Sequence, residues 1–184
     1  MNKSLVRFIS ETAMGIALVI LAQLLGKSIP AGAVILGPLS VTQLITGSLV
    51  NCVLFVFAYR VGALSGMLIG LLSSLLAFTL GIGPALFPVV PVVGLGNALL
   101  ALLFALLAKK TTLPRTADMV ISALTKCAFL WVCVPAVLKM LGTVPAKQIT
   151  VMSAMFSWPQ GVTALIGGLL ALLIIPRLDK LKAN

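Results

Sequence analysis

The segment PVVPVVGLGNALLALLFALLA, residues 88–108, extends over a whole membrane-spanning length without one charged side chain. About 20 apolar residues are what an α-helix needs to cross the hydrocarbon core of a bilayer. Two lysines, Lys109 and Lys110, follow the stretch directly, as expected where a span ends at a membrane surface. The stretch therefore predicts a transmembrane helix with one amide side chain, Asn97, at mid-span.

The rest of the chain repeats this pattern. Of its residues, 61% are hydrophobic and 9% are charged, a composition far outside the range of soluble domains. The candidate spans lie at approximately 9–26, 43–59, 62–80, 88–108, 117–140 and 146–175. The connections are short, and we find no linker, second domain or convincing internal repeat, which disfavours carriers built from inverted halves. The sequence predicts an all-α integral membrane protein whose residues 1–184 form one compact bundle of six transmembrane helices.

Lysine and arginine predict the orientation, because cytoplasmic loops are enriched in them. The segments assigned to the inside carry Lys3, Arg7, Arg60, Lys109, Lys110, Arg115, Arg177, Lys180 and Lys182. The segments assigned to the outside carry only Lys27, Lys139 and Lys147. Both termini are therefore expected in the cytoplasm of a multi-pass cell-membrane protein, with the 81–88 and 141–146 turns outside. The net charge of +10 is then topological, and no nucleic-acid partner is expected.

An alternative interpretation of the first span is a signal peptide. Lys3 and Arg7 would form its basic region, and AGA at 31–33 would be a small-residue cleavage site. Glu11 is an unusual neighbour for the apolar region of such a peptide, and removing this span would disturb the even number of helices. We therefore favour a retained first helix.

The reactive residues are few. The chain has no histidine and three acidic residues, Glu11, Asp118 and Asp179, so it lacks the paired carboxylates and histidine systems of most hydrolytic and metal chemistry. Its cysteines, Cys52 and Cys127 among them, fall within apolar spans without CxxC spacing. We expect no enzyme, no metal site and no cofactor.

Small residues recur at helical spacing in two spans. Ala13 and Ala17 lie four apart in the first span, and Gly62, Gly66 and Gly70 lie four apart at the start of the third. Such spacing produces a groove that lets another helix approach closely. On spacing alone, the default interpretation of both sets is contact within the bundle.

Polar side chains at mid-depth occur in four spans. Asn51 and Asn97 lie in the second and fourth, and Lys126 and Gln160 in the fifth and sixth. Polar groups inside a membrane are costly and usually face a bundle interior or a cavity. At about 1.5 Å per residue these four lie at comparable depth, which favours one cavity open to the outside. The alternative is a set of separate interhelical hydrogen bonds.

Lys126 carries the strongest signal, because an ammonium at the centre of a span costs about 2.5–3.5 kcal/mol. Asp118 is eight residues away on the same span, about 12 Å along the helix axis and too far for a direct ion pair. No intrachain counter-ion is therefore expected, which favours a ligand with a carboxylate or another electron-rich acceptor. The competing outcomes are a neutral amine, an amine capped by carbonyls freed at Pro135 or Pro159, and a side chain reaching the inner surface.

Several pieces of the chain resemble the substrate-specificity subunits (S components) of energy-coupling factor importers. They are the alanine pair of the first span, QLITGSLVN at 43–51, LGIGPALFPVVPVVGLGN at 80–97 and FSWPQGVTALIGG at 156–168. The likeness extends in general form over the whole chain, as six short-looped helices. No polar set matches one vitamin subfamily, so the ligand stays open.

The resemblance implies capture of a small water-soluble vitamin or related micronutrient from outside, with helices four to six and the first loop forming much of the site. It implies docking on a transmembrane coupling subunit, driven by two cytoplasmic ATPases, and the absence of a Walker motif agrees with a borrowed ATPase. Ala13 and Ala17 match the family's A-x-x-x-A coupling motif, and the segment 27–43 would be the gating loop.

The candidate substrate-binding residues are Asn51, Asn97, Lys126, Trp158 and Gln160. Trp158 would offer an apolar or stacking wall next to the kink expected at Pro159. Two rival functions stay open. One is a stand-alone six-helix carrier, and the other is a structural or assembly subunit that binds no small molecule.

Overall fold

The computed structural model describes residues 3–29, 34–81 and 86–183. In these ranges the chain forms helices α1 (Lys3–Lys27), α2 (Val41–Arg60), α3 (Ala63–Thr79), α4 (Val89–Lys110), α5 (Arg115–Met140), α6 (Ala146–Met155) and α7 (Trp158–Ala183). Strands β1 (Val34–Leu36) and β2 (Leu39–Ser40) form a short antiparallel hairpin between α1 and α2. With 146–180 taken as one unit, five helical segments are long and apolar enough to cross a membrane, and α3 is a shorter apolar helix. The helical membrane fold is confirmed, while the number of crossings stays a prediction.

Helix α2 lies at the centre of the bundle, in contact with α1, α3, α4 and α7. Its Phe55 is fully buried and meets Phe104 of α4 edge to face, with ring centroids 4.8 Å apart. Such aromatic pairs stabilise a core by about 0.5–1.5 kcal/mol beyond the area that they bury. The central helix therefore connects the walls of the bundle and holds their relative positions.

Two charged contacts identify one end of the bundle. Arg60, the last residue of α2, forms an ion pair of 3.3 Å with Asp179 of α7, and the Arg115 guanidinium at the start of α5 lies 4.6 Å from the Tyr59 ring centroid. The end of α2, the start of α5 and the end of α7 therefore lie together, and we call this the basic end. The opposite end, where β1 and β2 lie, is the hairpin end.

The sequence predicts that the basic end faces the cytoplasm. A cysteine at Thr112, an exposed residue between α4 and α5, should stay unmodified when intact cells are treated with an impermeant maleimide. A cysteine at Thr143, an exposed residue between α5 and α6, is the matched control and should be labelled. Cys133 is half-buried and is replaced by serine in both variants. Labelling at position 112 and not at position 143 would show that the basic end faces the outside of the cell.

The sixth predicted span is two helices rather than one kinked helix. Helix α6 ends at Met155 and α7 begins at Trp158, so Phe156 and Ser157 separate them. Pro159 lies in the first turn of α7, where its missing N–H costs nothing. The predicted sixth span is present as one apolar unit over Ala146–Lys180, and the kink predicted at Pro159 is a break, because the proline begins α7 instead of bending α6.

The predicted gating loop, segment 27–43, contains the one strand pairing among the described residues. Gly37 has a φ of 52° in the turn, a left-handed conformation that glycine adopts at little cost. Ser40 then caps α2, because its Oγ accepts from the Gln43 N–H at 3.1 Å. The sequence did not predict this hairpin, and the AGA of the alternative cleavage site, at 31–33, lies outside the described residues.

The glycine series at the start of α3 divides into two roles. A Cβ at Gly70 would lie 2.9 Å from both the Asn97 carbonyl carbon and the Ala98 nitrogen of α4, so glycine is required for this close approach of the two helices. Gly66 also packs on α4, through Ala101. Gly62 precedes the helix and has nothing within 4 Å of its added Cβ. Packing within the bundle is therefore confirmed for Gly66 and Gly70 only.

Candidate functional site

A cavity of about 440 Å³ occupies the hairpin half of the bundle and reaches its middle. Its volume is within the range of small-molecule sites. The polar side chains that line it are Gln23, Ser40, Thr42, Gln43, Thr46, Asn51, Ser73, Ser74, Asn97, Lys126 and Gln160. Its apolar lining includes Val50, Val93, Met152, Met155 and Phe156. Among the described residues that line it, Lys126 is the one that can carry a charge.

Four of the five predicted site residues meet at this cavity, namely Asn51, Asn97, Lys126 and Gln160. They come from α2, α4, α5 and α7 respectively. The single cavity predicted from their common depth is present. The alternative of separate interhelical hydrogen bonds also holds in part, because Asn51 and Asn97 bond to side chains of neighbouring helices. The polar residues therefore both hold the walls together and line the space between them.

Trp158 is not among the residues that line the cavity, so its predicted role as a wall is not supported. Its ring lies beside the hairpin turn, where a Cβ added to Gly37 would be 4.0 Å from the Trp158 Cζ2. The break before α7 sets the rotation of this first residue independently of α6. The aromatic side chain that lines the cavity is Phe156, which is 8% exposed.

Lys126 is 3% exposed, and its Nζ donates a hydrogen bond of 2.6 Å to Asn51 Oδ1. An ammonium has three donors, and no second acceptor bonds to Nζ among the described residues. The carbonyl freed by Pro159 does not cap it, because the side chains of Gln43 and Gln160 bond there instead. A neutral amide oxygen is thus the partner of Lys126, and the side chain does not reach the inner surface.

All three carboxylates of the chain are occupied elsewhere. Glu11 pairs with Arg7 at 2.8 Å, and Asp179 pairs with Arg60. Asp118 accepts a hydrogen bond of 2.9 Å from the Thr111 hydroxyl. The prediction that Lys126 has no intrachain counter-ion is therefore confirmed within the described residues.

Asn51 is held in place from behind by α7. A Cβ at Gly167 would lie 2.7 Å from the Asn51 Cβ and 2.8 Å from the Cys52 nitrogen, so only glycine lets α7 approach α2 this closely. The Asn51 Nδ2 donates to Thr163 Oγ1 at 3.4 Å. Because Nδ2 faces α7, the side-chain oxygen is directed to Lys126.

Asn97 is held against α3 in a similar way. Its Nδ2 donates to Ser73 Oγ at 3.4 Å, and Ser73 Oγ donates to the Gly70 carbonyl at 2.8 Å. The backbone around Asn97 is regular helix, since α4 is continuous from Val89 and Pro91 lies in its first turn.

The Met155 carbonyl is the acceptor that Pro159 was predicted to free. Gln43 Nε2 donates to it at 2.8 Å, and Gln160 Nε2 lies at 3.4 Å from the same oxygen. The Met155 carbonyl is available as predicted, although the reason is that α6 ends at this residue. The break between α6 and α7 is thereby joined to the first turn of α2 at the rim of the cavity.

The sequence interpretation missed Gln23 of α1 as a site residue. Gln23 is 6% exposed, lines the cavity, and donates from Nε2 to the Ser73 carbonyl at 3.1 Å. Its signal in the sequence is the same as for Asn97, a lone amide within an apolar span. Thr46, Ser73 and Ser74 also line the cavity, but short hydroxyl side chains occur throughout membrane helices and give little signal.

Ala13 and Ala17 lie on the exposed face of α1. The neighbouring positions Thr12, Gly15 and Val19 are buried and turn toward the bundle. The default interpretation of the alanine pair as packing within the bundle is therefore wrong for this chain. The small-residue groove of α1 is directed away from the cavity.

Comparison with known proteins gives no relative of this chain. It matches no protein-family model, no curated protein and no solved structure. The cavity and its contacts therefore supply the observations on which a function is proposed.

Proposed function

We propose that the chain is the substrate-binding subunit of an energy-coupling factor importer. It captures a small water-soluble vitamin or related micronutrient at the hairpin end, which faces the outside of the cell membrane. A transmembrane coupling subunit and two cytoplasmic ATPases then drive its release to the inside. The observation that carries the proposal is the polar cavity around Lys126, whose Nζ bonds to one neutral oxygen.

The lining chemistry supports a ligand over a purely structural role. A protein that needs only a packed bundle gains nothing from a cavity of about 440 Å³ lined by amides and a lysine amine, because each such group is costly in a membrane. A bound molecule with a carboxylate or another electron-rich acceptor would accept from the two remaining donors of Lys126. Asn97 and Gln160 would contact its other polar atoms.

The position of the carboxylates favours a subunit that is driven by partner ATPases over a stand-alone carrier that is coupled to an ion. A carrier coupled to protons or sodium ions usually places a carboxylate at mid-membrane, where it binds the ion. Glu11 and Asp179 of this chain form ion pairs outside the cavity, and Asp118 bonds to Thr111. The exposed alanine pair on α1 supplies a surface for the coupling subunit.

Native mass spectrometry of gently purified protein tests the proposal. We expect the wild-type chain to retain one small molecule after incubation with the small-molecule fraction of a yeast extract, and to release it on activation in the gas phase. Asn97→Leu removes an amide of the lining together with its bond to Ser73 of α3, and it should lower the occupancy. A wild-type chain that retains no compound would favour the structural-subunit alternative.

A further inference from the structure

Three hydrogen-bonding atoms of the cavity lining are buried without a partner among the described residues. They are Gln23 Oε1, Gln43 Oε1 and Thr46 Oγ1. Leaving a buried acceptor unsatisfied costs about 1–3 kcal/mol, so native structures rarely tolerate several of them in one place. Their concentration at one wall of the cavity needs an explanation beyond packing.

The bonds of Gln23 determine which of its side-chain atoms is free. A carbonyl oxygen can only accept, so the atom that bonds to the Ser73 carbonyl at 3.1 Å must be Nε2. The other end of the amide, Oε1, is then left without a partner. Because the residue is 6% exposed, that oxygen is an acceptor held in a buried position on α1.

Gln43 repeats this arrangement on α2. Its Nε2 donates to the Met155 carbonyl at 2.8 Å, again a group that can only accept. Its Oε1 is buried without a partner. Two amides on different helices therefore use their donors on backbone carbonyls and keep their acceptors free.

The Lys126 amine is contributed by α5, whereas these two acceptors are on α1 and on the first turn of α2. Gln23 of α1 bonds to α3, whereas Lys126 of α5 bonds to Asn51 of α2. The cavity thus has free acceptors on the side of α1 and the first turn of α2, and free donors on the side of α5. A ligand complementary to both walls must carry both kinds of group.

We infer that the ligand presents at least two N–H or O–H donors to Gln23 and Gln43, and an acceptor or anionic group to Lys126. This inference rests on the proposed function and narrows its substrate class to compounds with a donor-bearing edge, such as an amine, an amide or a protonated ring nitrogen. A simple fatty or aromatic carboxylate satisfies Lys126 alone and is excluded. A compound with donors only leaves the ammonium without its acceptor.

The test uses detergent-solubilised wild-type protein and the small-molecule fraction of a yeast extract. The retained compound is released, its formula is obtained by accurate mass, and its exchangeable hydrogens are counted from the mass shift in deuterated solvent. We expect at least two exchangeable hydrogens besides any carboxylic acid hydrogen. Gln23→Met and Gln43→Met should each bind the isolated compound roughly tenfold or more weakly, since each leaves a ligand donor unpaired.

Two further variants make the comparison specific. Gln148→Met changes an exposed glutamine of α6 that does not line the cavity, and it should bind within about twofold of the wild type, since it removes no contact to the ligand. Thr46→Val removes Oγ1, the third buried atom without a partner, and leaves both glutamines in place. It therefore tests the same wall of the cavity if Gln23→Met fails to fold. Weaker binding by Thr46→Val is expected.

The outcomes separate this inference from the function on which it rests. A retained compound without such donors, or wild-type affinity in Gln23→Met, Gln43→Met and Thr46→Val, would overturn the inference while a binding function stands. A wild-type chain that retains no compound from the extract would overturn both.

Discussion

Replacing Ala13 and Ala17 together with leucine should abolish uptake in cells, while the affinity of the purified subunit for its ligand stays within about twofold of the wild type. Both alanines lie on the exposed face of α1, where the buried neighbours Thr12 and Val19 mark the opposite face. Two leucine side chains would fill the groove between them and keep a partner helix at a distance. Uptake by whole cells and binding by isolated protein measure the two effects separately.

The matched control is a pair of exposed alanines on another helix. Ala128 and Ala136 lie on the outer surface of α5, so their replacement with leucine adds the same volume without touching α1. This control should transport normally. Wild-type uptake by the α1 double variant would refute the coupling surface, and an equal loss of binding would indicate that the alanines support the cavity instead.

The sequence predicted the helices well because each is a long apolar run ended by charges or by proline and glycine. It failed where a short local preference decides the backbone. The hairpin depends on a two-residue turn at Gly37 and Pro38, and the break before Trp158 depends on one proline entering a helix at its first turn. Neither feature changes the hydropathy of its segment, so a window of about 20 residues does not detect it.

The polar residues of the site were visible because amides and an ammonium are conspicuous in apolar spans. Their pairing was not, since Asn51 and Lys126 are 75 positions apart in sequence and meet only after α2 and α5 are rotated into place by packing. Gly167 behind Asn51 and Gly70 behind Asn97 control that packing. The sequence marked Gly70 as a packing residue but did not indicate which helix it meets.

Gln23 shows a different limit. It lies in α1, whose alanine pair indicated a coupling surface. Because that motif gave the helix one function, Gln23 was not predicted to line a binding site. Gln23 lies six positions after Ala17, on another face of the same helix, and lines the cavity. One helix therefore carries both the exposed groove and a buried acceptor, which explains why spacing motifs alone gave an incomplete site.

Lys126→Met should weaken ligand binding by roughly thirtyfold or more, equivalent to about 2 kcal/mol or more, because it removes one partner of a buried charge-assisted hydrogen bond. Methionine keeps most of the length of the lysine side chain and removes its charge. Lys139→Met on the same helix, at an exposed position near the hairpin end, is the matched control and should bind normally. Titration calorimetry with the compound identified from the wild type measures both.

In the absence of ligand, Lys126→Met should not lower the thermal stability of the protein. Burying an ammonium without a carboxylate is costly, and replacing buried ionic groups with well-packed apolar ones is often neutral or stabilising. Lys126→Met does leave Asn51 Oδ1 without its donor, but a neutral amide oxygen costs less to leave unpaired than an ammonium costs to bury. We therefore expect the thermal stability of the empty variant to equal or exceed that of the wild type. A variant that binds as tightly as the wild type but melts at a lower temperature would make Lys126 a structural residue. A cationic ligand without any acceptor or anionic group would contradict its proposed role directly.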